Sequence, residues 1–185
     1  AGPGRGAQLD AGARTARGRI LVFLHADSRL PPEAADAIRG ALDRADAVAG
    51  CFRFALAPPA PPLSRWGLLE AAVRLRTRLF RTATGDQTIF VRRDAYRAAG
   101  GVPHWDLFED VELVRRLREV GRFVPVETTA PTSRRRWERH GFWRTVARHL
   151  LLRAGYRLGV PPERLARRYR AAREADGTDG PAAAG

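Results

Sequence analysis

The stretch RILVFLHADS at residues 19–28 decides the fold class. Five consecutive apolar residues at 20–24 predict a strand that is buried on both faces and ends before Asp27. Two prolines then open a helix predicted over 33–45, and residues 47–56 predict the next strand. Strand, helix and strand at this spacing form a βαβ unit, which implies an α/β fold with a parallel sheet.

Helices and strands alternate on either side of this unit. Residues 1–175 are predicted to form one domain, and the low-complexity segment 176–185 is predicted to be a disordered tail. The other predicted elements are helices at 7–16 and 64–81, a strand at 88–92, a small helix that ends at the glycines 100–101, a helix at 108–120, a strand at 122–126 and a helix at 142–158.

The composition is strongly basic, with 33 basic residues and a formal net charge of +13. Every basic residue is Arg, and Met, Lys and Asn are absent, which is the codon bias expected of a GC-rich bacterial genome. The charge is therefore a weak argument for nucleic-acid binding, and no nucleic-acid partner is expected. Residues 128–162 nevertheless hold eight Arg and one acid, so a local basic surface that faces phosphates or anionic lipid head groups is expected.

The cysteine content and the hydropathy limit which cellular compartments the chain fits. Cys51 is the only cysteine, so an intrachain disulfide or a thiolate metal cluster is excluded, and a reducing compartment is the simplest interpretation. No apolar run approaches the roughly 20 residues that a membrane-spanning helix needs. The predicted location is the cytoplasm or the cytoplasmic face of the membrane.

Asp27 follows the C-terminal end of the predicted strand at 20–24. Open α/β sheets bind ligands at that edge, and Mg²⁺ is commonly held by one or two carboxylates together with phosphate oxygens. Asp27 is therefore a candidate ligand for a divalent ion that bridges a diphosphate. An aspartate that caps the following turn would occupy the same position, so this residue alone does not decide between the two roles.

Glu109 and Asp110 open the predicted helix at 108–120. Two acids at a helix N-terminus are favoured by the helix dipole, so stability alone could place them there. The functional interpretation is that one carboxylate acts as general base on an acceptor hydroxyl.

Two further polar segments are candidates for ligand binding. The tripeptide GDQ at 85–87 is either a plain turn or a placement of Asp86 and Gln87 against a sugar. The basic run that ends at Arg136 and Trp137 is either a solvated face or a phosphate clamp with Trp137 as an aromatic platform.

Taken in order, these segments resemble the family 2 glycosyltransferases, particularly a bacterial subgroup of small members. The resemblance runs unbroken over about residues 4–169. Its matching segments are GRGAQL at 4–9, AGA at 11–13, HADS at 25–28, GDQ at 85–87, FVRR at 90–93, GGVP at 100–103, EDVEL at 109–113 and RWER at 136–139. Each segment alone is a weak signal, whereas the ordered set is specific.

The resemblance implies a glycosyltransferase-A fold, which is a Rossmann-like sheet with flanking helices that binds a nucleotide-sugar donor and a divalent metal, Mg²⁺ or Mn²⁺. Asp27 matches the last acid of the family's Asp-x-Asp motif, which holds the metal against the donor diphosphate. His25 stands where the first Asp of that motif would be. Asp110, next to Glu109, matches the catalytic base of an inverting displacement.

The resemblance also has two departures. Arg136 and Trp137 match the end of a Gln-x-x-Arg-Trp signature of processive members, but Ser133 occupies the Gln position, so processivity is not implied. The family's domain opens with a strand, a helix and a second strand ending in an acid that binds the nucleotide base or ribose, and no such pattern precedes Ala1. The resemblance therefore implies a sheet that lacks its opening strands and a fragment that, alone, is inactive and prone to aggregate through the unpaired strand at 20–24.

The predicted function is transfer of a hexose-type sugar from a nucleotide-sugar donor to an acceptor hydroxyl. The alternative is a non-catalytic basic module that binds nucleic acid or anionic membrane with a strong dependence on salt. Nucleotidyl transfer on a similar sheet is a third hypothesis, which is disfavoured because the pairs at 109–110 and 136–137 match the sugar-transfer pattern.

The predicted helix at 142–158 is amphipathic. Its apolar face is Trp143, Val146, Ala147, Leu150, Leu151, Ala154 and Leu158, with arginines on the opposite face. The favoured interpretation is that this apolar face packs onto the sheet. The other interpretation is an interfacial helix that brings the enzyme to a lipid-linked acceptor at an anionic membrane.

Overall fold

A computed structural model describes residues 4–175, except for the side chains at positions 136, 173 and 175. The predicted tail at 176–185 lies outside the described residues. The described helices are α1 (Arg5–Thr15), α2 (Ala34–Ala41), α3 (Arg65–Phe80), α4 (Arg93–Ala98), α5 (Glu109–Val120), α6 (Arg135–His140), α7 (Phe142–Arg157) and α8 (Pro162–Ala175). The described strands are β1 (Ile20–Phe23), β2 (Ala47–Ala57), β3 (Ile89–Arg92) and β4 (Arg122–Ser133), and a short 3₁₀ turn, Gly85–Gln87, precedes β3.

The sheet is mixed rather than parallel, in the strand order β1-β3-β2-β4. β1 and β2 run in the same direction, as the βαβ pattern predicts, but β3 lies between them and pairs antiparallel with both. The reason is burial: Ile89, Phe90 and Val91 are all almost fully buried, and a strand without an exposed face takes a central position. β2 and β4 form the parallel pair.

β1 lies at the edge of the described sheet and is not buried on both faces as predicted. Leu21 faces the core, whereas Val22 is 37% exposed and Leu24, just past the strand, is 42% exposed. Within residues 4–175 this strand has β3 as its pairing partner in the sheet. The apolar run therefore marks an edge strand with one covered face.

β4 is more than twice as long as the predicted strand at 122–126, and it pairs with β2 along most of its length. The sequence does not predict the full length of β4, because Pro125 and Pro131 lie within it and proline ordinarily interrupts a central strand. β4 is the other edge of the described sheet, and an edge strand accommodates proline. This extension places Thr132 and Ser133 next to the loop that follows β1.

Two helical layers cover the sheet. Leu21, Cys51, Val91 and Phe123 pack against α1, α4 and α5 in one hydrophobic cluster. Phe52, Phe90 and Ala130 pack against α2 in the other. No helix among the described residues is long and apolar enough to cross a membrane.

The remaining helices gather near the end of β2 and the start of α5. Phe54 of β2 packs with Trp66 of α3 and Phe142 of α7. Phe108, which precedes α5, packs with Leu152 of α7 and Leu165 of α8. α6 and α8 are not predicted by the sequence, since both are short of apolar residues and rich in Arg. α3 and α7 are thereby held beside the N-terminus of α5.

Candidate active site

Asp110, at the start of α5, is held by backbone N–H groups on both of its oxygens. The N–H of Gly85 donates to Oδ2 at 2.5 Å, and the N–H of Val111 donates to Oδ1 at 2.7 Å. The first of these bonds docks the 3₁₀ turn Gly85–Gln87 onto the N-terminus of α5. The structure therefore brings together two segments that the sequence marks separately, 85–87 and 109–110.

Glu109, the other acid of the pair, is buried beneath Asp110 with 2% of its side chain exposed. Burial raises the pKa of Glu109 to about 7, and the neighbouring charge of Asp110 acts in the same direction. Nε of Arg5 lies 3.0 Å from Oε1 of Glu109, and this ion pair lacks hydrogen-bond geometry. Asp110 is therefore open to a molecule in solution, whereas Glu109 is not.

Two arginines that the sequence analysis did not single out lie beside Asp110 and Asp86. Arg76 comes from α3, and burial lowers its pKa to about 10. Arg153 comes from α7, and burial lowers its pKa as well. Both guanidinium groups interact electrostatically with the two carboxylates. The chain has 33 Arg, and no local sequence pattern distinguishes Arg76 and Arg153 from the others. Their burial in the folded chain distinguishes them.

Asp86 and Gln87 have different surroundings. Asp86 is partly exposed, and its carboxylate accepts a hydrogen bond from the Thr84 hydroxyl. Gln87 is buried, its Oε1 accepts from Arg76 at 2.7 Å, and its Nε2 donates to the Thr77 hydroxyl at 3.0 Å. Asp86 is thus placed to meet a ligand, while the Gln87 amide is used within the chain to position Arg76.

Backbone strain is concentrated at this place. Thr88, directly after the 3₁₀ turn, has φ 47°, and Phe108, directly before Glu109, has φ 65°. Non-glycine residues in this region cost on the order of 1–3 kcal/mol each and cluster at functional sites. Oγ1 of Thr88 and Nε of Arg76 are also buried without a hydrogen-bond partner in the described chain.

We call Arg5, Arg76, Asp86, Glu109, Asp110 and Arg153 the Asp110 cluster.

Asp27 belongs to a second group, which lies where β1 and β4 end. Nδ1 of His25 lies 2.6 Å from Oδ1 of Asp27, and the Thr132 hydroxyl donates to the same oxygen at 3.2 Å. The N–H of Ser133 donates to the carbonyl oxygen of Asp27 at 3.1 Å. The end of β4 therefore fixes the loop after β1. We call His25, Asp27 and Thr132 the Asp27 cluster.

The Arg-Trp pair begins four residues after Thr132, in α6. The Trp137 ring centroid lies 5.9 Å from that of Phe142 and 5.3 Å from that of His149. Trp137 is therefore partly buried between α6 and α7. The side chain of Arg136 is not among those described, so its role as a phosphate clamp stays a prediction.

α7 connects the two clusters. His149 contacts Trp137, and Arg153, one turn later, interacts with Asp110. One helical turn of four residues advances about 6 Å, so Trp137, which follows the Asp27 cluster in the chain, and the Asp110 cluster lie along the same short length of α7.

The Asp27 cluster offers a divalent metal one carboxylate rather than a complete set of ligands. Among residues 4–175, no three His, Cys, Asp or Glu side chains form a group that could hold a metal ion. Asp27 nevertheless fits an ion that takes most of its ligands from a diphosphate, since Mg²⁺ is usually bound through one or two carboxylates and substrate phosphates. His25 is bonded to the same carboxylate and would orient it.

Comparison of the sequence with models of known protein families and with characterised proteins finds no match. The resemblance to the family 2 glycosyltransferases therefore rests on the ordered segments of the sequence. What the structure adds is their relation in space: 85–87 meets 109–110 at one place, and 25–28 meets the strand end that leads into 136–139 at the other.

Proposed function

We propose that this chain transfers a sugar from a nucleotide-sugar donor to an acceptor hydroxyl, with Asp110 as the general base. The observation that carries the proposal is the setting of the Asp110 carboxylate. Two backbone N–H groups orient it, Arg76 and Arg153 lie beside it, and it remains partly exposed while Glu109 is buried. This is a carboxylate that is fixed by backbone hydrogen bonds and remains open to a substrate.

The proposed reaction is a single displacement at the anomeric carbon. The acceptor oxygen attacks that carbon while the bond from the carbon to the donor's phosphate oxygen breaks. The acceptor proton passes to Asp110, and the electron pair of the broken bond leaves with the nucleoside diphosphate. The new glycosidic bond forms on the opposite face of the sugar, so configuration is inverted.

The Asp27 cluster is assigned to the donor. Asp27, oriented by His25 and Thr132, would hold the divalent metal. When bound, Mg²⁺ or Mn²⁺ would neutralise charge on the departing diphosphate. Trp137 and Arg136 follow in α6 and are assigned to the same ligand.

The alternative, a non-catalytic basic module, accounts less well for the Asp110 cluster. Surface binding of nucleic acid needs arginines and no buried acid. Burying Glu109 beside Asp110 and holding Phe108 at positive φ both oppose folding, and such features persist where a site requires them. The acids are therefore expected to be indispensable rather than incidental.

The test is donor binding and turnover in the full-length protein. Calorimetry with a panel of nucleoside diphosphates and Mn²⁺ should find one that binds in a metal-dependent manner, and the corresponding nucleotide sugar should be turned over. Asp27→Asn should abolish metal-dependent binding without unfolding the protein, while Asp94→Asn, an acid at the start of α4, should leave binding unchanged. Unchanged binding in Asp27→Asn would refute the assignment of Asp27, and absence of turnover with every donor would refute the function.

A further inference from the structure

Most of the apolar face of α7 is turned to solvent, so the favoured interpretation that it packs onto the sheet is wrong except at Val146, which packs against the cluster of Phe54 and Trp66. Each large member of that face is more than half exposed, namely Trp143, Leu150, Leu151 and Leu158. α7 packs through the opposite side instead, where Phe142, Thr145 and Leu152 are buried.

α3 carries a second exposed apolar stripe. Leu68, Leu75 and Leu79 follow one another at steps of seven and four residues, which places them on one face of the helix. Their exposed fractions are 57%, 58% and 65%. The buried face of α3, with Trp66 and Thr77, lies on the other side.

The two helices lie side by side and in the same direction. Near their starts, the ring centroids of Trp66 and Phe142 are 4.9 Å apart. At their ends, the Arg157 guanidinium lies 5.5 Å from the centroid of the Phe80 ring. The inward residues of both helices share one hydrophobic cluster, so the two outward stripes lie on neighbouring helices, and we call the two stripes together the α3/α7 face.

The charged residues of α3 and α7 are almost all Arg, although Arg76 and Arg153 are turned inward and the exposed Glu127 of β4 pairs with Arg78. α3 carries four Arg and α7 another four, while Glu70 is the single acid in the two helices. The Glu70 carboxylate accepts the N–H of Leu56 and so is directed toward the sheet. Large exposed leucines and a Trp bordered by arginines match an anionic bilayer surface, which takes up the apolar side chains and attracts the cations. Nucleic acid would need the arginines but not the leucines.

The α3/α7 face belongs to the same helices that supply the Asp110 cluster. Arg76 of α3 and Arg153 of α7 are largely buried and interact electrostatically with Asp86 and Asp110. We propose that the α3/α7 face lies on an anionic lipid surface and thereby holds Asp110 close to the membrane. The acceptor would then be a lipid-linked hydroxyl, a conclusion that rests on the proposed function, whereas the binding of the bilayer does not.

Co-sedimentation with vesicles tests the face directly. The full-length protein should bind vesicles that contain phosphatidylglycerol and bind phosphatidylcholine vesicles at least tenfold more weakly. Leu75→Glu and Leu150→Glu should each weaken binding to the anionic vesicles by about tenfold or more, since each removes an apolar side chain that the bilayer would bury and adds a repelled charge. The matched control is Val120→Glu, which makes a similar change at an exposed residue at the end of α5 and should have less than a twofold effect.

Trp143, 72% exposed, supplies a second readout. Brominated phospholipid should quench its fluorescence, and Trp143→Phe should remove that quenching. Equal binding by Leu150→Glu and by the unaltered protein would overturn the proposal, as would a face covered by a second copy of the chain, detected by light scattering as a dimer that Leu75→Glu dissociates. Vesicle binding without turnover would leave this inference standing and contradict only the proposed function.

Discussion

The Asp110 cluster draws its residues from five segments of the chain, whereas the Asp27 cluster joins one loop to the end of one strand. In the first, Glu109 is buried and its pKa is raised to about 7, and burial also lowers the pKa of Arg76 and Arg153. In the second, the side chains of His25 and Asp27 remain partly exposed and bond to each other, and the Thr132 hydroxyl donates to Asp27.

This difference in construction suggests a division of labour. A cluster of buried, opposed charges is suited to moving a proton at a defined atom, because its groups are fixed and their protonation responds to small changes in charge. A short, open carboxylate site is suited to a ligand that arrives with its own charge and leaves again. Under the proposed function, the chemical step would belong to the Asp110 cluster and donor binding to the Asp27 cluster.

The largest effect is expected at Asp110. Asp110→Asn should reduce kcat by about 10² to 10⁴ and leave donor affinity nearly unchanged, because it removes the base and keeps the size of the side chain. The measurement is steady-state turnover alongside calorimetric binding of the nucleoside diphosphate. Glu109→Gln is the matched variant, and if it were the more damaging of the two, the assignment within the pair would be reversed.

The next effect separates Gln87 from Asp86. Gln87→Leu should destabilise the fold by about 2–4 kcal/mol, because it leaves the Arg76 guanidinium and the Thr77 hydroxyl without their buried partner. Asp86→Asn, at a partly exposed neighbour, should change stability by less than about 1 kcal/mol. Urea unfolding measures both. Equal destabilisation by the two changes would contradict the distinction between a buried Gln87 and a partly exposed Asp86 in the 3₁₀ turn.

Glu109 gives the Asp110 cluster a pH dependence. Its pKa of about 7 in the folded protein exceeds its ordinary value of 4.5, so the folded state keeps a proton that the unfolded state loses. The associated stability is present below about pH 4.5 and is lost as the pH rises to about 7, a change on the order of 2–3 kcal/mol.

Glu109→Gln removes this contribution, because glutamine does not titrate. The difference in unfolding free energy between the unaltered protein and this variant should therefore shift by roughly 2–3 kcal/mol between pH 4.5 and pH 8, in favour of the variant at the higher pH. Glu119→Gln, at the exposed end of the same helix, is the control. Parallel pH profiles for all three proteins would contradict the buried setting of Glu109.

Local patterns in the sequence predict most of the elements but not their arrangement. The helices that become α1, α3, α5 and α7 and the strands β1, β2 and β3 are found within a few residues of their predicted bounds, since each is marked by periodicity or by an apolar run. The insertion of β3 between β1 and β2 is a non-local pairing that no local pattern encodes. The predicted strand at 122–126 is shorter than β4 because proline indicates a break in a strand unless that strand is known to lie at an edge.

The same limit applies to the site. The order of motifs selected the carboxylates Asp27, Asp86 and Asp110, because acids near strand and helix ends stand out against an arginine-rich chain. Arg76 and Arg153 could not be selected, since only tertiary burial distinguishes them from the other arginines. Arg5 had one signal, its place in the GRGAQL segment, and that signal named no role.

The smallest effect tests how the Asp27 cluster is oriented. Thr132 is 4% exposed, and its hydroxyl donates to Oδ1 of Asp27, the oxygen that also lies next to His25. Thr132→Val keeps the shape and the strand preference of the residue but removes this hydrogen bond, whose net worth is about 1 kcal/mol.

Metal-dependent affinity for the nucleoside diphosphate should therefore fall by about fivefold in Thr132→Val, because Asp27 is no longer held in one orientation. Thr132→Ser keeps the hydroxyl and should bind nearly as well as the unaltered protein. Turnover per bound donor should be unchanged in both variants, since the Asp110 cluster is intact. If Ser weakened binding and Val did not, packing of the Thr132 methyl group rather than its hydroxyl would position Asp27, and a loss of turnover at full donor occupancy would mean that the two clusters do not divide the work.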